Sequence, residues 1–334
     1  MNAVAENPLV MHEPPLNLME RAGLYTSWVL SGAVFLSVGW LAVAPDDPYG
    51  AVSLYARTDG LSMLVQAAAL VAVVASLGAA LGGRRLVDAG TLTATLGLAV
   101  VSLRGATSEY LLLYEADHGG SQRALGAKFL FESIGWFFLV VIALVVSGLV
   151  ARWVYGRDVR QDEGLEKKTA SHNMAPRSSL HEMRLLWGGA GSAGEDARFV
   201  IGQGLRHTVV TAAVGLIAMM VLSTGLSSRV IQSGQVCFLV AASTMIGEYF
   251  AARRVPVRSA FWAILAVAIM ALIGYVWSAM RPVYAALPPH IPTSHFLRIL
   301  PLQFISVGTI SAIWSFQHFH DAAHATEGEG GEVV

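Results

Sequence analysis

Residues 60–103 read GLSMLVQAAALVAVVASLGAALGGRRLVDAGTLTATLGLAVVSL, and residues 229–272 read RVIQSGQVCFLVAASTMIGEYFAARRVPVRSAFWAILAVAIMAL. Laid over one another without a gap, Gln66 falls on Gln235, Leu70, Val71 and Ala72 on Leu239, Val240 and Ala241, Gly78 on Gly247, and Arg84 and Arg85 on Arg253 and Arg254. Each copy is an apolar run, a pair of arginines and a second apolar run. A helical hairpin with a basic turn, used twice, has this pattern, and an internal repeat of this kind sets the architecture before any other feature. A further echo lies downstream, where Phe131-Glu132-Ser133-Ile134-Gly135 matches Phe304-Ile305-Ser306-Val307-Gly308.

The rest of the 334-residue chain extends the pattern. It is 54% hydrophobic and only 13% charged, against about 25% charged in an average globular chain. Eight runs are long enough to cross a bilayer as helix, which takes about 20 apolar residues: Leu24–Ala44, Ser62–Leu81, Ala89–Tyr110, Phe129–Val150, Thr208–Gly225, Gln232–Ala252, Ser259–Met280 and Phe296–Phe316. They lack the alternating polarity of barrel strands. The expected fold is therefore all-α, a polytopic integral membrane protein with about eight transmembrane helices. These form two tandem four-helix repeats in the same orientation, as in parallel repeats related by an axis along the membrane normal. Gly78, Gly97, Gly135, Gly247 and Gly308 are the small residues that let such helices approach closely.

Lysine and arginine placement orients the chain. Arg21, Arg84, Arg85, Arg253, Arg254, Arg258 and the basic stretch from Arg152 to Arg206 fall on one side; Arg57, Arg123, Lys128, Arg229, Arg281 and Arg298 fall on the other. The expectation is a bacterial inner (cytoplasmic) membrane with both termini in the cytoplasm. The segments are then a cytoplasmic N-terminal stretch (1–23), the first repeat (24–154), a charged cytoplasmic linker (155–206), the second repeat (207–320) and a disordered cytoplasmic tail (321–334). The N-terminal stretch has no basic start and no early apolar core, so no signal peptide is expected. In the linker, Leu180, Met183 and Trp187 share a helical face and predict a short helix in the interface.

Charges at membrane depth are costly and mark candidate sites. These are Arg104, Glu109, Lys128, Glu132 and Glu248. Lys128 and Glu132, four apart, are expected to pair. Arg104 is a second expected partner of Glu132, while Arg253 and Arg254 lie about a turn from Glu248. Glu132 and Glu248 break the repeat, facing Ile305 and Ala79. Two imidazole-containing groups are candidates for metal. Glu115, Asp117 and His118 follow the third run, and His290 and His295 precede the eighth; imidazole with carboxylate suits zinc, copper or iron. His320 and His324 are four apart at the chain's end, as helix-borne ligands are.

No motif implies a cofactor. There is no CxxC, no dinucleotide fingerprint, no Ser-His-Asp pattern, and no histidine in the middle of an expected span to ligate haem. Gly188–Gly191 lacks the lysine of a phosphate loop. A formal net charge of −1 gives no basis for nucleic-acid binding. The lipid bilayer is the one certain partner. The expected function is a permease for a small solute moving between the repeats. The alternative is a non-catalytic membrane subunit of a respiratory or oxidoreductase complex, holding quinone or docking partner membrane subunits; a structural or assembly role is a third.

The arginine asymmetry makes a topology prediction. Single cysteines at Ser121 and Ser171 should react with an impermeant thiol reagent from opposite sides of intact cells or spheroplasts. Labelling of both from one side would overturn the orientation and the four-plus-four arrangement together.

Overall fold

The computed structural model describes residues 18–47, 50–82, 88–169, 179, 195–224, 232–257, 259–280 and 294–329, with the backbone alone for 156–169, 195–198 and 320–329. Among the described residues there is no strand. The main helices are α1 (Leu18–Val43, interrupted by a π-helical turn at Phe35–Gly39), α2 (Gly60–Leu81), α3 (Ala89–Ser102), α4 (Ser108–Asp117), α5 (Gln122–Thr169), α6 (Glu195–Thr224), α7 (Ser233–Arg254), α8 (Phe261–Met280) and α9 (Pro301–Glu329). Short 3-10 turns stand at Leu54–Ala56 and His295–Arg298.

Among the described residues, six helices are long and apolar enough to cross a membrane: α1, α2, the Gln122–Tyr155 part of α5, the Phe199–Thr224 part of α6, α7 and α8. Their outward sides carry exposed Leu, Val, Ile and Phe, such as Leu61, Val65 and Val73 on α2. Of the three others, α4 is a short helix of ten residues, and α3 and α9 lie inside. Every residue of α3 except Leu96 and Val100 is buried, and Pro301–Ile313 of α9 is buried except for Val307 and Ile310. Helix α3 is apolar but only 14 residues long. Both helices carry several buried polar side chains: Thr91, Thr93, Thr95 and Ser102 on α3, and Gln303, Ser306, Thr309, Ser311 and Ser315 on α9.

The run expected to span from Ala89 to Tyr110 is broken. Helix α3 stops at Ser102 and α4 starts at Ser108. The loop after α1 takes the intervening space: Ala51, Val52 and Ser53 are fully buried, and the Gly50 carbonyl accepts from the Ala106 amide at 3.1 Å. A Cβ on Gly105 would stand 2.9 Å from the Val52 side chain, so the break needs glycine there. Arg57 secures the loop's other end. Its guanidinium grips Asp59 with two hydrogen bonds and donates to the Ala42 and Ala44 carbonyls at the end of α1. The last run also divides, into the His295–Arg298 turn and α9, which begins at Pro301, where proline's missing N–H costs nothing. Helix α5 continues to Thr169, and α6 starts at Glu195, well ahead of Thr208. The interfacial helix expected around Leu180–Trp187 lies outside the described residues.

Packing groups the helices in two sets. In the first, α1 packs on α2 and α3, and α2 and α3 pack on α5. In the second, α6 packs on α7 and α8, and α7 and α8 pack on α9. The sets meet where α5 touches α8 and α9, and α9 touches α3. Tyr275 of α8 sits at that meeting. Its ring contacts Phe129 of α5 at 5.5 Å and Phe304 of α9 at 6.2 Å, and its hydroxyl donates to the Ile299 carbonyl at 2.8 Å. The repeat's glycines have diverged in use. Gly78 faces Thr93 and Gly90 of α3, whereas Gly247 faces the Thr211 carbonyl and Gly215 of α6.

The π-helical turn of α1 seats Phe35 on α3. A Cβ on Gly97 would lie 2.1 Å from Phe35 Cδ2 and 2.6 Å from Ser31 Oγ. Gly97→Ala should therefore cost about 1–3 kcal/mol, the usual range for overpacking, read as a lower melting temperature in detergent. Phe35→Leu should recover part of that loss in the double variant. Strictly additive losses would show that the ring does not occupy the glycine slot.

Candidate functional site

Two carboxylates are buried among the spanning helices, one in each set. Glu132 of α5 is 1% exposed and Glu248 of α7 is 0% exposed. They differ in what they bind.

Glu132 holds the buried loop. Ser53 Oγ donates to Oε2 at 2.6 Å, the Leu54 amide to Oε1 at 3.1 Å, and Trp136 Nε1 to Oε1 at 2.8 Å. Ser53 begins the 3-10 turn in extended backbone, and its hydroxyl also accepts from the Tyr55 amide, so the turn presents its free N–H groups to the carboxylate. Neither expected partner is present. Lys128 is ion-paired with Glu115, and its ammonium lies 5.8 Å from the Tyr55 ring centroid. Arg104 donates to the Leu36 carbonyl at 2.6 Å and stacks on Trp40 at 4.4 Å. That carbonyl belongs to the π-helical turn of α1, where the wider winding disturbs the usual carbonyl pairing. The inserted loop explains both corrections, because its hydroxyl and amides occupy the carboxylate that the two cations were expected to reach.

Glu248 has no arginine partner either. Arg253 stacks on Tyr249 at 4.5 Å. The partner is His207 of α6, which the sequence reading placed one residue ahead of the fifth span. His207 Nε2 lies 3.0 Å from both carboxylate oxygens, and Thr211 Oγ1 donates to Oε2 at 3.2 Å. His207 Nδ1 stands 2.8 Å from the Val255 carbonyl. A carbonyl only accepts, so Nδ1 carries a proton. His207 and Thr211 are four apart on one face of α6. Their spacing within an apolar run was the available signal, and the late helix start assigned to α6 hid it. Gly247 and Gly204 allow the approach: a Cβ on the first would be 2.4 Å from the Thr211 carbonyl, and on the second 2.0 Å from the Trp262 ring.

The remaining sequence candidates scatter. Glu109, on α4, acts on Arg298 of the second 3-10 turn, partly offsetting the burial that lowers that guanidinium's pKa. Asp117 and His118 are exposed; His118 Nδ1 lies 2.8 Å from the Tyr114 carbonyl, and its ring stacks on Tyr114 at 4.1 Å. Glu115 is committed to Lys128. His295 is exposed beside a cavity lined by Met219, Met220, Ser223, Trp277 and Phe296. His290 lies outside the described residues, as do the side chains of His320 and His324. Among the described residues, no three His, Cys, Asp or Glu gather as a metal site would require.

A different polar group emerges inside the helix sets and at their meeting. Thr91 of α3, Ser147 of α5, Ser243 and Thr244 of α7, and Thr309 and Ser315 of α9 have buried hydroxyls with no hydrogen-bond partner among the described residues. A Cβ on Gly90 would lie 2.5 Å from Ser147 Oγ, so Ser147 faces Gly90, the residue before Thr91. Gln303 Nε2 donates to the Ser102 carbonyl at 3.3 Å, while Trp314 meets Trp28, whose neighbour Ser27 bonds Thr93. Helices α3 and α9 are thus antiparallel, and equal rise along each brings Ser315 level with Gly90 and Thr91. Near the same end, Ser179 Oγ donates to Asp88 at 2.8 Å and lies 3.4 Å from Ser259 Oγ, linking the starts of α3 and α8. Burial pushes the Asp88 carboxyl up to about 6, against the pull of the Ser179 hydrogen bonds.

Set against family models, curated proteins and solved structures, the chain matches none of them. Glu132 and the His207–Glu248 pair are therefore judged on geometry alone.

Glu132 is saturated by three donors that belong to loop and helix, which makes it an anchor. Glu132→Ala should leave those donors without an acceptor at roughly 1–3 kcal/mol each. The melting temperature should fall, and amide exchange at Leu54 should accelerate. Glu132→Gln should lose less, because it keeps one acceptor oxygen. Unchanged exchange at Leu54 in the alanine variant would remove the anchoring role.

Proposed function

We propose that this multipass membrane protein is a permease that passes a small, hydrogen-bonding solute between two four-helix halves. The reading rests on how the halves meet. If α1, α2, α3 and α5 correspond to α6, α7, α8 and α9, the contact of α5 with α8 is the counterpart of the contact of α9 with α3. The α5–α9 contact is its own counterpart, as a two-fold axis along the membrane normal requires. Inside the halves, the α1–α2, α1–α3, α2–α5 and α3–α5 contacts are matched by α6–α7, α6–α8, α7–α9 and α8–α9. The close α2–α3 packing through Gly78 and Gly90 is the departure. In this arrangement α3 and α9 are counted as spans, which gives the eight helices, with both termini on the cytoplasmic side.

The junction is where alternating access would open, and α3, α5 and α9, the helices that meet there, each carry a hydroxyl unpaired among the described residues. Buried hydroxyls normally find a partner in the preceding turn of their own helix, as Thr95, Ser306 and Ser311 do here. Thr91, Ser147 and Ser315 do not. Hydroxyls left free on helices from both halves offer hydrogen bonds to a solute without adding charge. That favours a neutral or weakly polar solute over an ion.

Proteoliposomes carrying the protein should equilibrate glycerol, urea or a comparable small neutral solute at least several-fold faster than protein-free vesicles in a light-scattering shrinkage assay. Thr91→Val with Ser315→Ala should reduce that rate while leaving the melting temperature within a few degrees. A protein that passes none of these solutes, and that is recovered from native membranes in a stable complex with redox subunits, would favour the membrane-subunit reading.

A further inference from the structure

The His207–Glu248 pair has a property that a static anchor does not need. Its one acceptor group faces its one ambiguous nitrogen. Nδ1 is fixed as a donor by the Val255 carbonyl at 2.8 Å. Nε2 then faces both carboxylate oxygens at 3.0 Å. Contact at that distance requires one proton between them, carried either by Nε2 beside a carboxylate or by the carboxyl beside a neutral imidazole. Charge separation in a poorly solvated site favours the second form, and the attraction of the opposite charges favours the first. The two forms differ only by the position of a proton across one hydrogen bond. Such a pair titrates as a unit.

The pair is also placed between two different surroundings. Val255 closes α7 at its exposed end, next to exposed Arg254 and Pro256. The imidazole therefore reaches from an enclosed carboxylate to a carbonyl at the bundle's margin. In the other direction Thr244, one turn deeper on the same face of α7, has a buried hydroxyl without a partner, as does its neighbour Ser243. Helices α7 and α9 run the same way, with only α8 between them in the chain, and Tyr249 meets Phe319 at 5.2 Å. That register brings Thr244 level with Ser315 of the hydroxyl group at the junction. The first half has no counterpart, since Ala79 stands where Glu248 does.

Among the described side chains, no other titratable or charged group bonds the pair. On the elements packed around it these are Arg206 on α6, Cys237, Tyr249, Arg253 and Arg254 on α7, Tyr275 on α8 and His318 on α9. Arg253 is stacked on Tyr249, Tyr275 bonds the Ile299 carbonyl, and His318 contacts Phe319. Among the described residues, only Val255 and Thr211 join the pair's hydrogen bonds.

We propose that His207 and Glu248 form a proton-binding site, holding one exchangeable proton that is taken up and released at the exposed end of α7. On release the proton passes from the pair to water at that end. A neutral imidazole is left beside a carboxylate, and the site's net charge falls from zero to minus one. On uptake the reverse occurs. Joined to the permease reading, on which this role rests, the site couples solute passage to protons from the second half alone.

The test uses the full chain reconstituted in phospholipid vesicles, with infrared difference spectra recorded between about pH 5 and pH 9. The expected result is a pH-dependent carboxyl C=O band that disappears in Glu248→Gln. That variant can still fold, because a glutamine amide can donate to His207 Nε2 while its oxygen accepts from Thr211. Thr211→Val supplies a second reading that does not touch either member of the pair. Losing a donor to the carboxylate favours the protonated form, so the band's midpoint should move to higher pH. A spectrum in which neither a carboxyl band nor the imidazole ring bands titrate overturns the proposal, and so does a titrating carboxyl band that neither variant alters, which would belong to Glu132 or Asp88. Running the solute assay with an imposed pH gradient separates the two readings. A titrating pair in a protein that passes no solute overturns the permease alone, and solute passage indifferent to the gradient with a silent pair overturns the proton site.

Discussion

Lipid accepts no hydrogen bonds, so every polar group in a membrane bundle must be satisfied by the protein or enclosed within it. Six helices of this chain meet that demand with apolar outward sides. That leaves α3 and α9 wrapped by protein and free to carry threonine, serine and glutamine. The rest of the molecule follows from this division. The two enclosed helices touch each other and the long α5, and both bring buried polar side chains to that meeting.

The same constraint accounts for the buried loop. Residues 50–56 enter the bundle beside the break between α3 and α4, and their backbone needs partners there. Glu132 supplies an acceptor for the Leu54 amide and the Ser53 hydroxyl, and the Gly50 carbonyl takes the Ala106 amide. A carboxylate in the membrane is thus explained without solute chemistry. Glu248 is different in kind. Its partner is an imidazole, whose charge can change near neutral pH, and its surroundings continue into hydroxyls that have no partner.

The divergence of the halves is consistent with this division of roles. The matched stretches of sequence share glycines and arginine pairs, but not Glu132 or Glu248, whose counterparts are Ile305 and Ala79. Even a preserved glycine has changed its neighbour, Gly78 facing α3 and Gly247 facing α6. Each half has kept the frame and placed a different carboxylate in it, one to hold a loop and one beside a histidine.

Length and hydropathy were enough to establish an all-helical membrane protein, because the cost of exposing polar groups to lipid acts on each segment separately and is written along the chain. Glu132 and Glu248 were legible as buried charges for the same reason. Their partners were not. Lys128 at four residues' distance looked like the natural mate of Glu132, yet a loop about eighty residues earlier in the chain supplies the donors. His207 sat one residue outside an assumed span and bonds a residue forty-one positions away. Pairing across such separations depends on which helices touch and at what depth. Glycine slots, a π-helical turn and a broken helix decide that, and they take effect only when the helices pack.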